Sequence, residues 1–147
     1  MKPTLVANAL SIATVSFDIS QEPTGLPENV LALLHEIATL IERYLEAGEE
    51  GTIDVFRLPM PANDRETLKH TLGTGEVEAS VDALGRTHAQ ETGIPGVWWV
   101  SYFNTSSEVV AEFIEISAFP ELFKAHQQDI RSGLKRLRKH LSPPAAP

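Results

Sequence analysis

The chain has 147 residues, 42% of them hydrophobic and 22% charged, a composition that suits one globular domain with a single core. It contains no cysteine, which excludes a disulfide framework, a thiolate nucleophile and an iron–sulfur cluster ligated by this sequence. The net charge is −8, with 18 acidic and six basic residues up to position 120 and two acidic and six basic residues after it. Because a mainly acidic surface repels phosphate backbones, nucleic acid is not an expected partner.

The first 25 residues are predicted to be an N-terminal lead that is partly disordered or forms one strand. Val15, Phe17 and Ile19 alternate with polar residues, which is the pattern of a half-buried strand. Pro3 and polar residues interrupt the apolar stretch after Lys2, which argues against a signal peptide. No apolar run approaches the length of a membrane span, so we expect a cytoplasmic protein with no membrane contact.

A helix from about 28 to 47 is the clearest predicted element. Val30, Leu34, Ile37 and Ile41 recur at helical spacing, and Gly48 follows where a C-terminal cap is expected. A short strand is predicted over Thr52–Leu58. After it, Asn63 or Asp64 is predicted to cap a second helix, which Gly73 and Gly75 end.

Four further strands are predicted, and the turns that join them are short. They cover Glu76–Asp82, Arg86–Thr92, Val97–Phe103 and Glu108–Ser117. Connections of a few residues favour antiparallel hairpins, because a parallel crossover needs about a dozen residues. A last helix starts near Pro120 and Glu121, and its predicted buried stripe consists of Phe123, Ile130, Leu134, Leu137 and Leu141.

These elements predict an α+β domain over 26–142, followed by a disordered tail over 143–147. The predicted architecture is an antiparallel sheet of about five strands with three helices packed mainly on one face.

No pattern of residues predicts a catalytic residue, a metal ligand or a cofactor site. The five histidines form no helical ligand pair, and no serine sits in a nucleophile elbow. Glu76 and Glu78 lie two apart on a predicted strand and share a face. They form either a general acid/base pair or a solvated strand edge.

The strand Val97–Phe103 carries four aromatic side chains, two on each face. Trp98 and Tyr102 share one face, and Trp99 and Phe103 share the other. One face is expected to pack on the helices. The other either meets a second layer or stays exposed as a protein-binding surface.

Five basic residues lie between Arg131 and Lys139 in the last helix. Cations near a helix C-terminus complement the helix dipole, which explains them without a function. The alternative is a docking role for an acidic partner.

Five segments, read in order, resemble a known family. They are the runs Ile53–Met60, Leu72–Ala79 and Glu91–Val100, followed by Phe113–Ile116 and Phe119-Pro120. The chain resembles the C-terminal conserved domain of the hydrogenase expression proteins HupH, HyaF and HoxQ over about residues 28–141. Typical members of that family are about twice as long.

The resemblance implies a non-enzymatic accessory protein, or chaperone, in the maturation of [NiFe] uptake hydrogenases. Its implied partners are the iron–sulfur small subunit or its precursor, or other hydrogenase accessory proteins. The resemblance supplies no catalytic residue. Together with the aromatic strand and the carboxylates, it gives these candidate partner-binding residues: Glu76, Glu78, Glu91, Trp98, Trp99, Tyr102, Phe103 and Glu115.

Two alternatives remain open at this point. The chain is a small ligand-binding domain or enzyme with a carboxylate site near Glu76, Glu78 and Glu91. Otherwise it is a structural homodimer that buries the aromatic strand face at its interface.

Overall fold

A computed structural model of the chain describes residues 25–146, so the predicted N-terminal lead falls almost wholly outside the described residues. Within this range the helices are α1 (Glu28–Ala47), α2 (Ala62–Leu72) and α3 (Gln127–Leu141), with a short 3₁₀ turn at Glu121–Phe123. The strands are β1 (Gly51–Asp54), β2 (Glu78–Asp82), β3 (Arg86–Glu91), β4 (Val97–Phe103) and β5 (Val109–Ile116). Residues 143–146 follow α3 without a helix or strand.

Proline and glycine mark the ends of the first two helices. α1 follows Pro27, and it ends at Gly48, whose N–H donates to the carbonyl of Tyr44 at 2.9 Å in the left-handed conformation. α2 follows Pro61 directly, with no side-chain hydrogen bond at its N-terminus. The predicted capping roles of Asn63 and Asp64 are therefore wrong, since both residues lie inside the helix.

The five strands form one antiparallel sheet in the order β1-β5-β4-β3-β2. β2 to β5 make the predicted meander of hairpins. β1 lies at the opposite edge and pairs with β5, with Ile53 opposite Ile114. Three helices and a five-stranded antiparallel sheet confirm the predicted α+β class.

The two faces of the sheet bury different cores. The face that α1 and α2 cover, called here the helix face, carries Val97 and Trp99 of β4 and Ile114 and Ile116 of β5. The opposite face, called here the far face, carries Ala89, Trp98 and Val100, against which Tyr102, Phe119 and Phe123 pack. Each face of β4 therefore contributes one buried tryptophan, as the alternation of side chains along a strand requires.

The strand predicted over Thr52–Leu58 is wrong in its second half. β1 ends at Asp54, and the N–H groups of Val55 and Phe56 both donate to the carbonyl of Glu112, at 3.1 and 3.3 Å. Two donors on one acceptor break the regular ladder, and the chain turns away from β5. The segment Glu76–Asp82 likewise starts its strand two residues late, at Glu78.

The predicted buried stripe of the last helix is wrong for Ile130, Leu134, Leu137 and Leu141, whereas Phe123 packs on the far-face core. α3 begins at Gln127, after the 3₁₀ turn, and none of its residues is buried. Ile130, Leu134, Leu137 and Leu141 share one side of the helix and are 59%, 46%, 55% and 75% exposed. The spacing of these residues correctly predicts a helix with one apolar side, but no element among residues 25–146 covers that side. The four residues are called here the α3 stripe.

We expect Leu137→Ala to change the free energy of unfolding by less than about 0.5 kcal/mol, because an exposed side chain loses little on truncation. The helix backbone is not weakened, since alanine has the highest helix propensity. Urea unfolding followed by circular dichroism measures the change. A loss above about 1 kcal/mol would show that the α3 stripe is covered in the free protein.

Candidate functional site

Two of the segments that resemble the hydrogenase expression family meet at one end of the sheet. The N–H of Gly75 donates to the carbonyl of Glu91 at 2.7 Å, and the N–H of Gly93 donates to the carbonyl of Leu72 at 2.8 Å. The side-chain amide of Gln90 adds hydrogen bonds to the carbonyls of Gly75 and Val77, each at 3.2 Å. The run Leu72–Ala79 is thus fastened to the run that begins at Glu91.

Glycine at position 75 is required by this contact. A Cβ atom there would lie 2.5 Å from the carbonyl oxygen of Thr92 and 3.1 Å from that of Glu91. Both neighbours are backbone atoms of a paired strand end, so they cannot move aside without breaking the hydrogen bonds between the two segments. The glycine therefore serves close backbone approach.

A pocket of about 190 Å³, called here the motif pocket, opens between these segments and the C-terminal end of α2. Leu72 and Thr74 come from the first segment, Thr92 and Trp99 come from the second, and Lys69 lies on α2. His88, Gln90 and Ser101 complete the wall from the helix face of β3 and β4. The pocket is therefore bounded by residues of both segments.

A buried carboxylate lies beside the motif pocket with two cations around it. Glu112 is 5% exposed and sits on the helix face of β5. Its carboxylate is 3.4 Å from Arg65 Nη1 and 3.7 Å from Lys69 Nζ, and it accepts a hydrogen bond from Ser101 Oγ at 3.3 Å. Arg65 also donates to the carbonyl of Val55 at 3.1 Å, which ties α2 to the end of β1.

Lys69 and Trp99 meet at the pocket wall. The ammonium nitrogen of Lys69 lies 4.7 Å from the centre of the Trp99 ring, which is within the range of a cation–π contact. Trp99 is 6% exposed, and its indole N–H has no hydrogen-bond acceptor among residues 25–146. The pocket wall thus combines a positive charge with an aromatic surface.

The far face carries a second group of predicted site residues in one row across the sheet. Trp98 stands opposite Glu91 on β3 and opposite Glu115 on β5. The indole N–H of Trp98 donates to the carbonyl of Ser117 at 3.1 Å, and Phe119 packs edge-on against the ring at 5.5 Å. One face of β4 is therefore covered by the segment after β5.

The eight predicted partner-binding residues do not form one surface. Trp98 and Trp99 are 2% and 6% exposed and belong to the two cores, so in the folded chain they offer almost no contact surface. Tyr102 and Phe103 are half-buried. Their role as contact residues stays a prediction, as does that of the carboxylates.

The predicted carboxylate site is not assembled in the structure. Glu78 pairs with Gln90 and faces the helix side, whereas Glu91 pairs with Trp98 on the far face. Glu78 lies 3.5 Å from His88 at the edge of the sheet, and Glu76 is an exposed residue before β2. Glu76, Glu78 and Glu91 therefore do not converge as a general acid and base would have to.

Glu115 is the predicted site residue whose ionisation is perturbed. Partial burial on the far face raises its pKa, and the negative charge of Glu50 raises it further. The same carboxylate contributes to the raised pKa of Tyr102, after the burial of that phenol. The charged form of Glu115 is thus disfavoured in the folded chain relative to the unfolded chain.

We expect the stability of the protein to fall as the pH rises from the ordinary Glu pKa of 4.5 through the raised pKa of Glu115. In that window the folded state holds a proton that the unfolded state has lost, so deprotonation favours unfolding. Glu115→Gln removes this contribution, and the variant should gain stability over the parent with rising pH. Urea unfolding at several values between about pH 4 and pH 8 tests this, and a constant difference would contradict it.

Residues 25–146 contain neither a metal-binding cluster nor a membrane-spanning helix. No group of three or more histidine, aspartate or glutamate side chains in that range is placed to hold a metal ion. In the same range no helix is long and apolar enough to cross a membrane.

Comparison with known proteins decides the family. The family model of the HupH hydrogenase expression protein, C-terminal conserved region, matches residues 28–143. The chain belongs to this family. Residues 28–143 include all three helices and all five strands, so the match covers the whole described fold.

Similar proteins of known description support the same assignment. The hydrogenase expression/formation protein HupH of Rhizobium leguminosarum is 27% identical over 146 residues, which are 91% of this chain and 52% of that protein. HoxQ of Azotobacter vinelandii, which has the same description, is 29% identical over 93% of this chain and 49% of its own. The chain therefore spans about half the length of these curated relatives.

A solved structure shares the fold. The hydrogenase expression protein HupH from Thiobacillus denitrificans is 38% identical and superposes with a TM-score of 0.74. The similarity covers 77% of this chain and 94% of that chain. Nearly the whole of that solved chain therefore superposes on this chain.

Sequence reasoning missed Arg65, Lys69 and Glu112. A signal for them was present, because Glu112 lies two residues from Ile114 and four from Ile116 and must share their buried face. Arg65 and Lys69 are four apart on α2 and so present two cations on one side. Only the packing of α2 on β5 brings the three groups together.

Proposed function

We propose that this HupH-type domain is a non-enzymatic accessory protein in hydrogenase maturation, and that it binds the small subunit or its precursor. The observation that carries the proposal is the family match over residues 28–143. The named relatives are hydrogenase expression/formation proteins, and the chain spans about half of their length. The same proposal places its action in the cytoplasm.

The exposed surface of α3 supports a protein-binding role. The α3 stripe places four large apolar side chains in solvent, and contiguous apolar surface of this kind marks protein contacts. Basic residues flank the stripe, and such charges at the rim of an interface steer association and select partners. The four stripe residues are therefore the surface to test first.

The deciding experiment is affinity capture of the tagged full chain from hydrogenase-producing cells, with mass spectrometry of the captured proteins. We expect the hydrogenase small-subunit precursor among them. We also expect the double variant Leu134→Gln/Leu137→Gln to lose it while keeping its fold, because both side chains are exposed.

The matched control replaces two exposed apolar residues away from α3, Val81→Gln and Leu84→Gln, which are 36% and 103% exposed in the parent. This variant should still capture the precursor. Recovery of no hydrogenase component by the parent chain would overturn the proposed function. Equal loss in both variants would remove the assignment of the contact to α3.

A further inference from the structure

Charge around the motif pocket is unbalanced in favour of a negative ligand. Glu112 is the one carboxylate of the buried network, and both Arg65 and Lys69 approach it. One carboxylate offsets one cation, so a positive charge is left at the wall of the pocket, although the whole chain carries −8. Glu78 lies nearby, but its side chain is 70% exposed and contacts His88. Water therefore screens its charge strongly.

Several polar groups in the pocket wall are already engaged. Ser101 donates to Glu112, and the side-chain amide of Gln90 donates to backbone carbonyls. The hydroxyl of Thr92 donates to the carbonyl of Ile94 and accepts from its N–H at 3.2 Å in each case. The hydroxyl of Ser101 and the side-chain N–H groups of Gln90 are therefore already used as donors within the chain.

The strongest polar group that remains in the wall is the ammonium of Lys69. The ammonium of Lys69 carries three N–H bonds, and its contact with Glu112, at 3.7 Å, is long. The indole N–H of Trp99 is itself buried, so Trp99 offers a ligand its ring and not its N–H. A negatively charged ligand that accepts hydrogen bonds complements the ammonium of Lys69.

The volume limits the ligand to a small one. About 190 Å³ is below the range of roughly 300–1,000 Å³ that is typical of pockets for drug-sized molecules. A carboxylate with a short aliphatic stem fits this space, since Leu72 and the Trp99 ring supply apolar wall for the stem. A nucleotide does not fit.

We propose that the motif pocket is a carboxylate-binding site in which Lys69 supplies the charge and the hydrogen-bond donor, and the Trp99 ring supplies an aromatic wall. The carboxylate belongs either to a free small acid or to an acidic side chain of a polypeptide, since both present the same group. This site is independent of the proposed hydrogenase partner, because its chemistry depends on the pocket alone.

The two tryptophans allow the test to contain its own control. In ¹⁵N-labelled full chain, each indole N–H gives a separate resonance, and Trp98 lies on the far face with its N–H bonded to Ser117. Titration with sodium acetate up to about 100 mM, at constant ionic strength set with sodium chloride, should move the Trp99 indole resonance. The resonances of residues 72–74 should move with it, and the Trp98 indole should stay in place.

Peptide probes separate charge from shape and identify the source of the carboxylate. Blocked glutamate (N-acetyl-Glu-N-methylamide) should bind, and its neutral counterpart with glutamine should not. Tighter binding of blocked glutamate than of acetate supports a polypeptide as the source. The opposite order supports a small acid.

Lys69→Met keeps the length of the side chain and removes its charge, and we expect it to weaken acetate binding at least about tenfold. Lys135→Met on α3 removes the same charge away from the pocket and should bind as the parent does. The Trp98 indole resonance reports whether Lys69→Met is folded. An unmoved Trp99 indole, equal shifts with the glutamine probe, or undiminished binding by Lys69→Met would each overturn the proposal.

Discussion

Replacing Trp98 with alanine is expected to lower the free energy of unfolding by about 3–5 kcal/mol. Trp98 is 2% exposed and occupies the centre of the far-face core, so truncation leaves a large cavity under Phe119. The variant also loses the hydrogen bond from the indole N–H to the carbonyl of Ser117. Urea unfolding of parent and variant, followed by circular dichroism, measures the difference.

Trp98→Phe separates the two contributions, since it keeps an aromatic ring in the core and removes the indole N–H. It should be less destabilising than Trp98→Ala. Phe56→Ala is the control at an aromatic residue that is 43% exposed, and it should cost less than Trp98→Ala. A cost below about 1 kcal/mol for Trp98→Ala would contradict the far-face core.

This result bears on how binding is tested. An alanine at position 98 that abolishes binding of a partner would report unfolding as readily as a lost contact, because the residue is part of the core. Exposed positions such as Leu134 and Leu137 avoid that ambiguity. Trp98, which stands out in the sequence as part of an aromatic strand, therefore contributes first of all to stability.

The strand Val97–Phe103 could be predicted to its ends because local chemistry determines it. Turn residues lie on both sides, and Gly96 adopts a positive φ of 80° next to the first strand residue. The second half of Thr52–Leu58 could not be predicted in the same way. Its apolar Val55 is fully buried, but burial comes from a turn that bonds to Glu112 and not from a strand.

The surface against which a helix packs also cannot be predicted from the residues of that helix alone. The spacing of Ile130, Leu134, Leu137 and Leu141 correctly predicts an amphipathic helix. The spacing predicts that one side of the helix is apolar, but it does not predict which surface packs against that side. The site has the same limit, because Gly75 and Glu91 meet only through long-range pairing.

Arg65→Met is expected to cost about 3 kcal/mol, at the lower end of the range for breaking a buried ion pair. The Glu112 side chain, 7% exposed, is left with Lys69 at 3.7 Å and with the hydroxyl of Ser101. The cost arises because a carboxylate shielded from water loses its best-placed hydrogen-bonding and charged partner. Urea unfolding measures it. Arg57→Met is the control, since Arg57 pairs with Asp54 at the surface and is 87% exposed.

The double variant Arg65→Met/Glu112→Leu should recover most of this loss, because it replaces the pair with apolar groups of similar size. The two substitutions are therefore expected to be strongly non-additive, and additive costs would contradict a coupled pair. The double variant also leaves Lys69 without its buried counter-ion. If Lys69 is the anchor of a carboxylate site, acetate binding at the Trp99 indole should be retained or strengthened in this variant. Stability and acetate binding, both measured in this variant, separate the structural role of the network from the role of the pocket.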